Sequence, residues 1–250
     1  MNALAEYVAG CKGRRVFQHL RSVNAVLHCT LVHNGTVRRC IRVGATSPKC
    51  ATDQYALGLC RAYAGVILTT ARILRAEPTM TTSYDPGWYG AIGRILHPRT
   101  VILSRSGNIP WGHPAFISAP GPVTVLYRGT DPLYSIPREM TDRGVQLVRE
   151  TSDLQSIIRR WKAPVCLEAG PSTTNELYQA RAVDALLLST YNGTIDPELL
   201  GLESVQQRDL DTDFDRVFHA SEQDGQWTFE LFIKKRIRHA IADLLINSTT

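Results

Sequence analysis

The stretch Glu168-Ala169-Gly170-Pro171-Ser172-Thr173 comes after a short apolar run and opens a segment with helical periodicity. Small residues there let the backbone approach a ligand, and the free N–H groups at a helix start, at the positive end of its dipole, suit an anion. The pyrophosphate of a dinucleotide would fit this turn, and a plain capped connection explains the turn equally well. Ser104-Arg105-Ser106 closes another apolar run with two hydroxyls and a guanidinium. Those groups suit a phosphate monoester such as the 2'-phosphate of NADP, although a solvent loop has the same composition. Thr70 and Arg72 come directly after the run Gly65 to Thr70, where they could meet phosphate or simply open a helix. Thr30 and Asn34 end the first strand-like run, and Glu77 sits in Arg75-Ala76-Glu77-Pro78; all three are candidates for the substrate side. His28 and His33 have no second His or carboxylate at a metal spacing and read as packing or surface residues.

In open α/β sheets ligands bind beyond the carboxyl ends of the parallel strands, so the order of elements decides whether these residues meet. A helix-like lead, Asn2 to Val8, and a basic linker precede a strand over Asn24 to Leu31 that closes on the turn dipeptide Asn34-Gly35. Thr52 reads as the cap of a helix carrying Tyr55, Leu59, Ala62 and Tyr63, which Gly65 stops. Short apolar strands are expected over Gly65 to Thr70, Thr100 to Ser104 and Pro122 to Tyr127, with a loop from Pro78 to Gly93 and a weaker strand at Gly144 to Val148. Ser152-Asp153-Leu154-Gln155 reads as a capping box before the stripe Leu154, Ile157, Ile158 and Trp161. Strand Pro164 to Leu167, a helix whose start is marked by Thr173-x-x-Glu176, and strand Asp184 to Thr190 come next. Phe214 to His219 and Gln226 to Ile233 read as a C-terminal antiparallel hairpin. The expectation is one α/β domain over 23–240 with a mixed, mostly parallel sheet of about eight or nine strands flanked by helices. Residues 1–22 then form an N-terminal extension and 241–250 a tail.

With 250 residues and 44% hydrophobic content, the chain has material for a full core. No stretch approaches the roughly 18 consecutive apolar residues of a membrane span, and the N-terminus has its charges after a mildly apolar segment, so a cytoplasmic chain without signal peptide is expected. The formal charge of +5 is spread over small groups such as Arg14-Arg15, Arg38-Arg39 and Arg159-Arg160. That scatter favours a solvated surface or an anionic small molecule over nucleic acid. Six cysteines form no C-x-x-C pair, so neither zinc nor any other metal is expected. The Asn-x-Ser/Thr triplets at Asn34, Asn192 and Asn247 carry meaning only in a secreted chain.

Three colinear segments resemble a known family. They are DQYALGLCRAYAGVILTTARILRAEP, VILSRSGNIPWGHPAF and LEAGPSTTNELYQARAVDALLLST. Together they resemble the reductase domain of the bacterial bifunctional deaminase/reductase of riboflavin biosynthesis, with its V-x-x-S-R-S-G and E-G-G-P motifs, over about Val23 to Lys235. The resemblance implies a dihydrofolate reductase-like fold, a homodimer, and hydride transfer from NADPH to a ribosylaminopyrimidine 5'-phosphate. It implies that Ser104, Arg105 and Ser106 meet the adenosine 2'-phosphate, and that Glu168, Ala169, Gly170, Pro171, Ser172 and Thr173 meet the nicotinamide side and pyrophosphate. Departures are equally specific. Val32-His33-Asn34-Gly35 stands for the family's S-L-D-G, and His28 for its lysine. Thr70-Ala71-Arg72-Ile73 stands for G-A-G-T, which places side chains where backbone would approach phosphate, although Arg72 could itself neutralise that phosphate. The arginine expected after Pro78 is missing from TMTTSYD. No deaminase zinc motif is present. Two readings stand: an NADPH-dependent reductase of a pyrimidine or pteridine-like substrate, or an inactive relative that keeps the fold as a binding module.

Overall fold

A computed structural model of the chain describes residues 2–84, 97–130, 135–203, 210 and 212–239. Two helices open it, α1 (Ala3–Ala9) and α2 (Cys11–Ser22). The basic stretch expected as a linker is therefore α2: Val16, Phe17 and Leu20 recur at helical spacing and are buried, while the arginines lie on the other face. Gly13 lets the two helices meet, because a Cβ there would sit 2.1 Å from the Tyr7 carbonyl oxygen.

The sheet begins with β1 (Val26–Asn34), which turns through Gly35 into an antiparallel partner, β2 (Arg38–Ile41). Helix α3 (Ala51–Tyr63) leads to β3 (Val66–Thr70), and α4 (Ala71–Ala76) continues without a break. Next come β4 (Arg99–Ser104), α5 (Pro114–Ile117), β5 (Val123–Tyr127), α6 (Arg138–Asp142) and β6 (Gln146–Arg149). Helix α7 (Leu154–Trp161), β7 (Val165–Leu167), α8 (Pro171–Gln179) and β8 (Ala185–Tyr191) complete the parallel part. A 3-10 turn at Pro197–Leu199, β9 (Leu200–Glu203), β10 (Phe214–Glu222) and β11 (Trp227–Lys234) close the chain.

The strand order is β10-β11-β8-β1-β7-β3-β4-β5-β6, with β2 on β1 and β9 on β2. From β8 to β6 every neighbouring pair is parallel, and β11 and β10 are antiparallel, so the sheet is mixed, mostly parallel, with the C-terminal hairpin at one edge. Among the described residues there are eleven strands, where eight or nine were expected. The unforeseen ones, β2 and β9, are four residues each, too short for a periodic pattern to be read. The second half of the loop expected over Pro78 to Gly93 lies outside the described residues.

Both faces of the sheet are covered, which is why the central strands read as continuous apolar runs. On one face α1, α2 and α3 bury Leu4, Phe17, Leu20, Leu59 and Tyr63 against Leu27, Ile67, Cys166 and Leu187. On the other, α7 and α8 bury Leu154, Ile157, Ile158 and Leu177 against Val26, Leu68, Leu167 and Leu186. Tyr63 ties two of these layers together: its hydroxyl lies 2.8 Å from the Ala25 carbonyl and 3.2 Å from that of Leu20, and the ring is fully buried. Tyr63→Phe is expected to lower stability by about 1 kcal/mol, the net value of one buried hydrogen bond, with an unchanged slope in urea unfolding.

Three helix starts differ from expectation. Cys50, not Thr52, is the cap of α3, and the Thr52 hydroxyl donates to Glu222 at 2.7 Å. Asp153, not Ser152, caps α7, accepting from the Ser156 N–H at 2.8 Å. Helix α8 starts at Pro171, two residues before the expected box, because proline's fixed φ suits the first helical position.

Candidate functional site

The carboxyl ends of β1, β7, β3 and β4 open into a cavity of about 670 Å³. Its rim is built by the residues directly after each strand. After β7 come Glu168, Ala169 and Gly170, then the start of α8; after β3 come Thr70, Ala71 and Arg72; after β4 come Arg105 and Ser106; after β5 comes Arg128. Because β7, β3, β4 and β5 are consecutive neighbours about 4.8 Å apart, these groups form a polar row across the strand ends. Toward β1 the lining changes to Cys29, Thr30 and Leu31, faced by Asp53 and Leu57 of α3 and by Cys40, Ile41 and Gly201 of the β2–β9 pair.

Along the row, one helix start is closed and the other open. The Thr70 hydroxyl accepts from the Ile73 N–H at 3.2 Å and caps α4. Helix α8, nine residues long, has Gly170 at its cap and no side chain bonded to its N–H groups, so its positive end faces the cavity. The loop after β4 is shaped by Gly107 at φ 72° and by the Ser104 hydroxyl, which accepts from the Gly107 N–H at 3.2 Å. It packs directly on Gly129: a Cβ there would lie 2.2 Å from the Arg105 carbonyl oxygen. Arg105 and Ser106 project at the exposed lip. Among the described residues no carboxylate engages Arg72 or Arg105, whereas Arg128 is paired with Glu176 at 3.3 Å.

The floor holds an ion pair. Arg61 donates from Nε and Nη2 to the two oxygens of Glu168, both at 2.7 Å, with only 6% and 7% of the side chains exposed. Its third arm, Nη1, donates to the Ser83 carbonyl at 2.9 Å and so holds the rim loop. Burial opposes the Arg61 charge, but the Glu168 carboxylate outweighs it and holds the guanidinium pKa above its ordinary value. Cys166 donates to Glu168 at 3.4 Å, and burial pushes the Cys166 thiol up to about 12. Asp53 is raised by burial, partly offset by its hydrogen bond with Ser189. Glu77 is raised to about 7, chiefly by burial.

Of the residues singled out from sequence, Thr30, Thr70, Arg72, Glu77, Ser104, Arg105, Ser106 and the run Glu168 to Thr173 all line this cavity. Asn34 is not among the lining residues: it is exposed at the end of β1, opposite Arg38. His28, where the resembling family has lysine, is buried beneath α8, bonded to the Tyr178 hydroxyl at 3.1 Å, and burial lowers it to about 3. Arg61, Asp53, Arg42 and Arg128 were not visible as site residues in the sequence. Arg61 lies off the apolar stripe that carries Leu59, Ala62 and Tyr63, so the helical pattern did not single it out.

The geometry matches known folds. RibD of Acinetobacter baumannii, form 1, superposes with a TM-score of 0.62 at 15% identity, over 90% of this chain and 62% of that one. A pyrimidine reductase-like protein from Corynebacterium diphtheriae gives 0.62 at 18% identity, over 88% and 94%. The fold is that of the pyrimidine reductases. The riboflavin biosynthesis reductase of Saccharomyces cerevisiae shares this reductase fold at a TM-score of 0.53 and 13% identity, over 85% and 90%. The chain spans 58% and 62% of the length of the two RibD forms. No protein-family model matches the sequence. No curated protein matches it either. At these identities the shared feature is the reductase fold, and the resemblance read from the three motif segments holds at that level.

Proposed function

We propose that the chain is an NADPH-dependent reductase that delivers hydride to a small heterocycle, a pyrimidine of the 5-amino-6-ribosylaminouracil phosphate kind or a pteridine-like ring. The observation that carries this reading is the order of groups along the strand ends. An open helix start, Arg72, and then Ser104, Arg105 and Ser106 succeed one another over β7, β3 and β4, with two arginines that no carboxylate among the described residues neutralises. An elongated ligand with a central pyrophosphate and a phosphate monoester at one end fits that row. The α8 start and Arg72 would hold the pyrophosphate, and Arg105 with Ser106 the 2'-phosphate. When bound, the reduced nicotinamide supplies the hydride. Its ring would lie toward β1, where Thr30, Asp53 and Glu77 offer groups for the edges of a second ring. Hydride transfer depends mainly on such positioning.

One observation favours a second reading, a protein that binds without turning over. Ile73 reaches within 3.9 Å of the Cβ position at Gly170 and so occupies space between the two helix starts where a glycine loop would leave room. The two readings part on the loss of NADPH absorbance with 5-amino-6-(5-phosphoribosylamino)uracil. Turnover that depends on protein and pyrimidine is the expected result. Binding of NADPH with no oxidation by any pyrimidine or pteridine offered would establish the second reading instead.

A further inference from the structure

Three thiols gather under the wall of the cavity. Cys29 comes from β1, Cys60 from α3 and Cys166 from β7, and all three are free. We propose that Cys29 is a modification site, oxidised by hydroperoxides that enter the cavity, and that its oxidised sulfur closes onto Cys60 in a disulfide tying β1 to α3. The inference stands independently of the reductase reading.

Access singles out Cys29. It is half-buried and lines the cavity beside Thr30, whereas Cys60 and Cys166 are fully buried and lie behind the lining. A small neutral oxidant such as hydrogen peroxide therefore meets Cys29 first. Cys29 shares its side of β1 with Leu27, two residues before it, and both pack into the core layer that α3 makes with the sheet. Cys60 and Cys166 belong to the same layer. Among the described residues no group of His, Cys, Asp or Glu is arranged to hold a metal ion, which leaves the cluster the chemistry of its own sulfurs.

The partner follows from the strand register. Cys166 is opposite Leu27 across parallel strands, so Cys29 lies two residues farther along β1. Strands about 4.8 Å apart with a rise of about 3.3 Å per residue put the Cys29 and Cys166 Cα atoms about 8 Å apart. A disulfide needs Cα atoms within about 7 Å. Cys166 also donates its thiol to Glu168 Oε1 at 3.4 Å. Cys60 instead approaches from above the sheet, on the helix packed across β1, and its thiol is in hydrogen-bond contact with Cys29.

The Cys29 thiolate attacks one peroxide oxygen, the O–O bond breaks, and the departing hydroxide takes up the proton Cys29 has lost. Cys29 is then a sulfenic acid. Burial keeps Cys60 as the thiol until its sulfur attacks Cys29 Sγ. The S–O bond breaks, and the leaving hydroxide takes the Cys60 proton. Two thiols have lost two electrons, and one peroxide has become two waters. Because Cys60 directly precedes Arg61, the new bond acts on the segment that holds Glu168 at the cavity floor.

The test treats the full chain, reduced and dilute, with hydrogen peroxide, blocks the remaining thiols with iodoacetamide in urea, and maps tryptic peptides without reduction. The expected result is a link between the peptides Ser22 to Arg38 and Cys50 to Arg61, placed at Cys60 by fragmentation and split by dithiothreitol. Cys60→Ala removes the resolving thiol and is expected to stop at the Cys29 sulfenic acid, which dimedone traps. Recovery of Cys29 from the wild type as the iodoacetamide adduct, or as a sulfinic acid with Cys60 still a thiol, overturns the inference. So does a link that runs to Cys166, to Cys50 or to a second chain. The wild-type map is independent of how the variant folds.

Discussion

Arg105→Ala is expected to weaken NADPH binding by about 10- to 150-fold while leaving NADH affinity nearly unchanged. A hydrogen bond to a charged group contributes about 1.5–3 kcal/mol, and each 1.4 kcal/mol is tenfold in affinity. Arg105 is exposed at the lip, its charge engaged by no carboxylate among the described residues, and its loop is held by Gly107 and Gly129 rather than by its own side chain. Truncation should therefore leave the fold intact and change only the contact with a monoester. Calorimetric titration of both cofactors against both proteins checks this. Equal losses for NADPH and NADH would mean that Arg105 acts on the pyrophosphate or on the loop, not on the 2'-phosphate.

Arg61→Met is expected to cost about 3–5 kcal/mol of folding stability, a large share of the total of an ordinary domain, because it leaves Glu168 buried with no counter-charge. The double change Arg61→Met with Glu168→Leu should recover most of that loss, since both charges then leave the interior together. Urea unfolding of the three proteins measures the coupling. A loss below about 1 kcal/mol in the single variant would show that water reaches the pair, as in a surface ion pair. The pair also shapes the site: its bidentate geometry fixes the Glu168 oxygens at the cavity floor, and Arg61 Nη1 reaches the rim through the Ser83 carbonyl.

The parts of the fold legible in the sequence were those whose physics is local. β3, β4, β5 and β8 are short β-branched or aliphatic runs buried on both faces, and they fall where they were expected. The C-terminal hairpin announced itself through its polar turn, where Gln223, Asp224 and Gly225 all take positive φ. Helix α2 was hidden by its composition: Arg14, Arg15 and Lys12 dominate the stretch, while its buried stripe is only Val16, Phe17 and Leu20. β2 pairs with β1, and β9 with β2, where β1 runs on past the end of the shorter β7, a tertiary fact with no local pattern. The polar row of the site was legible for a related reason. Each of its groups comes straight after a strand, so the strand reading located them. The floor was not, since Arg61 and Glu168 are 107 residues apart and nothing in either segment names the other.

The most direct measurement is a titration of the purified chain with NADPH and, separately, NADH. The row of Arg72, Ser104, Arg105, Ser106 and the α8 start predicts saturable one-to-one binding with a clear preference for NADPH, weakened by added salt because phosphate contacts carry the difference. Absence of binding by either cofactor, or equal affinity for both, would contradict the assignment of that row to a phosphorylated dinucleotide.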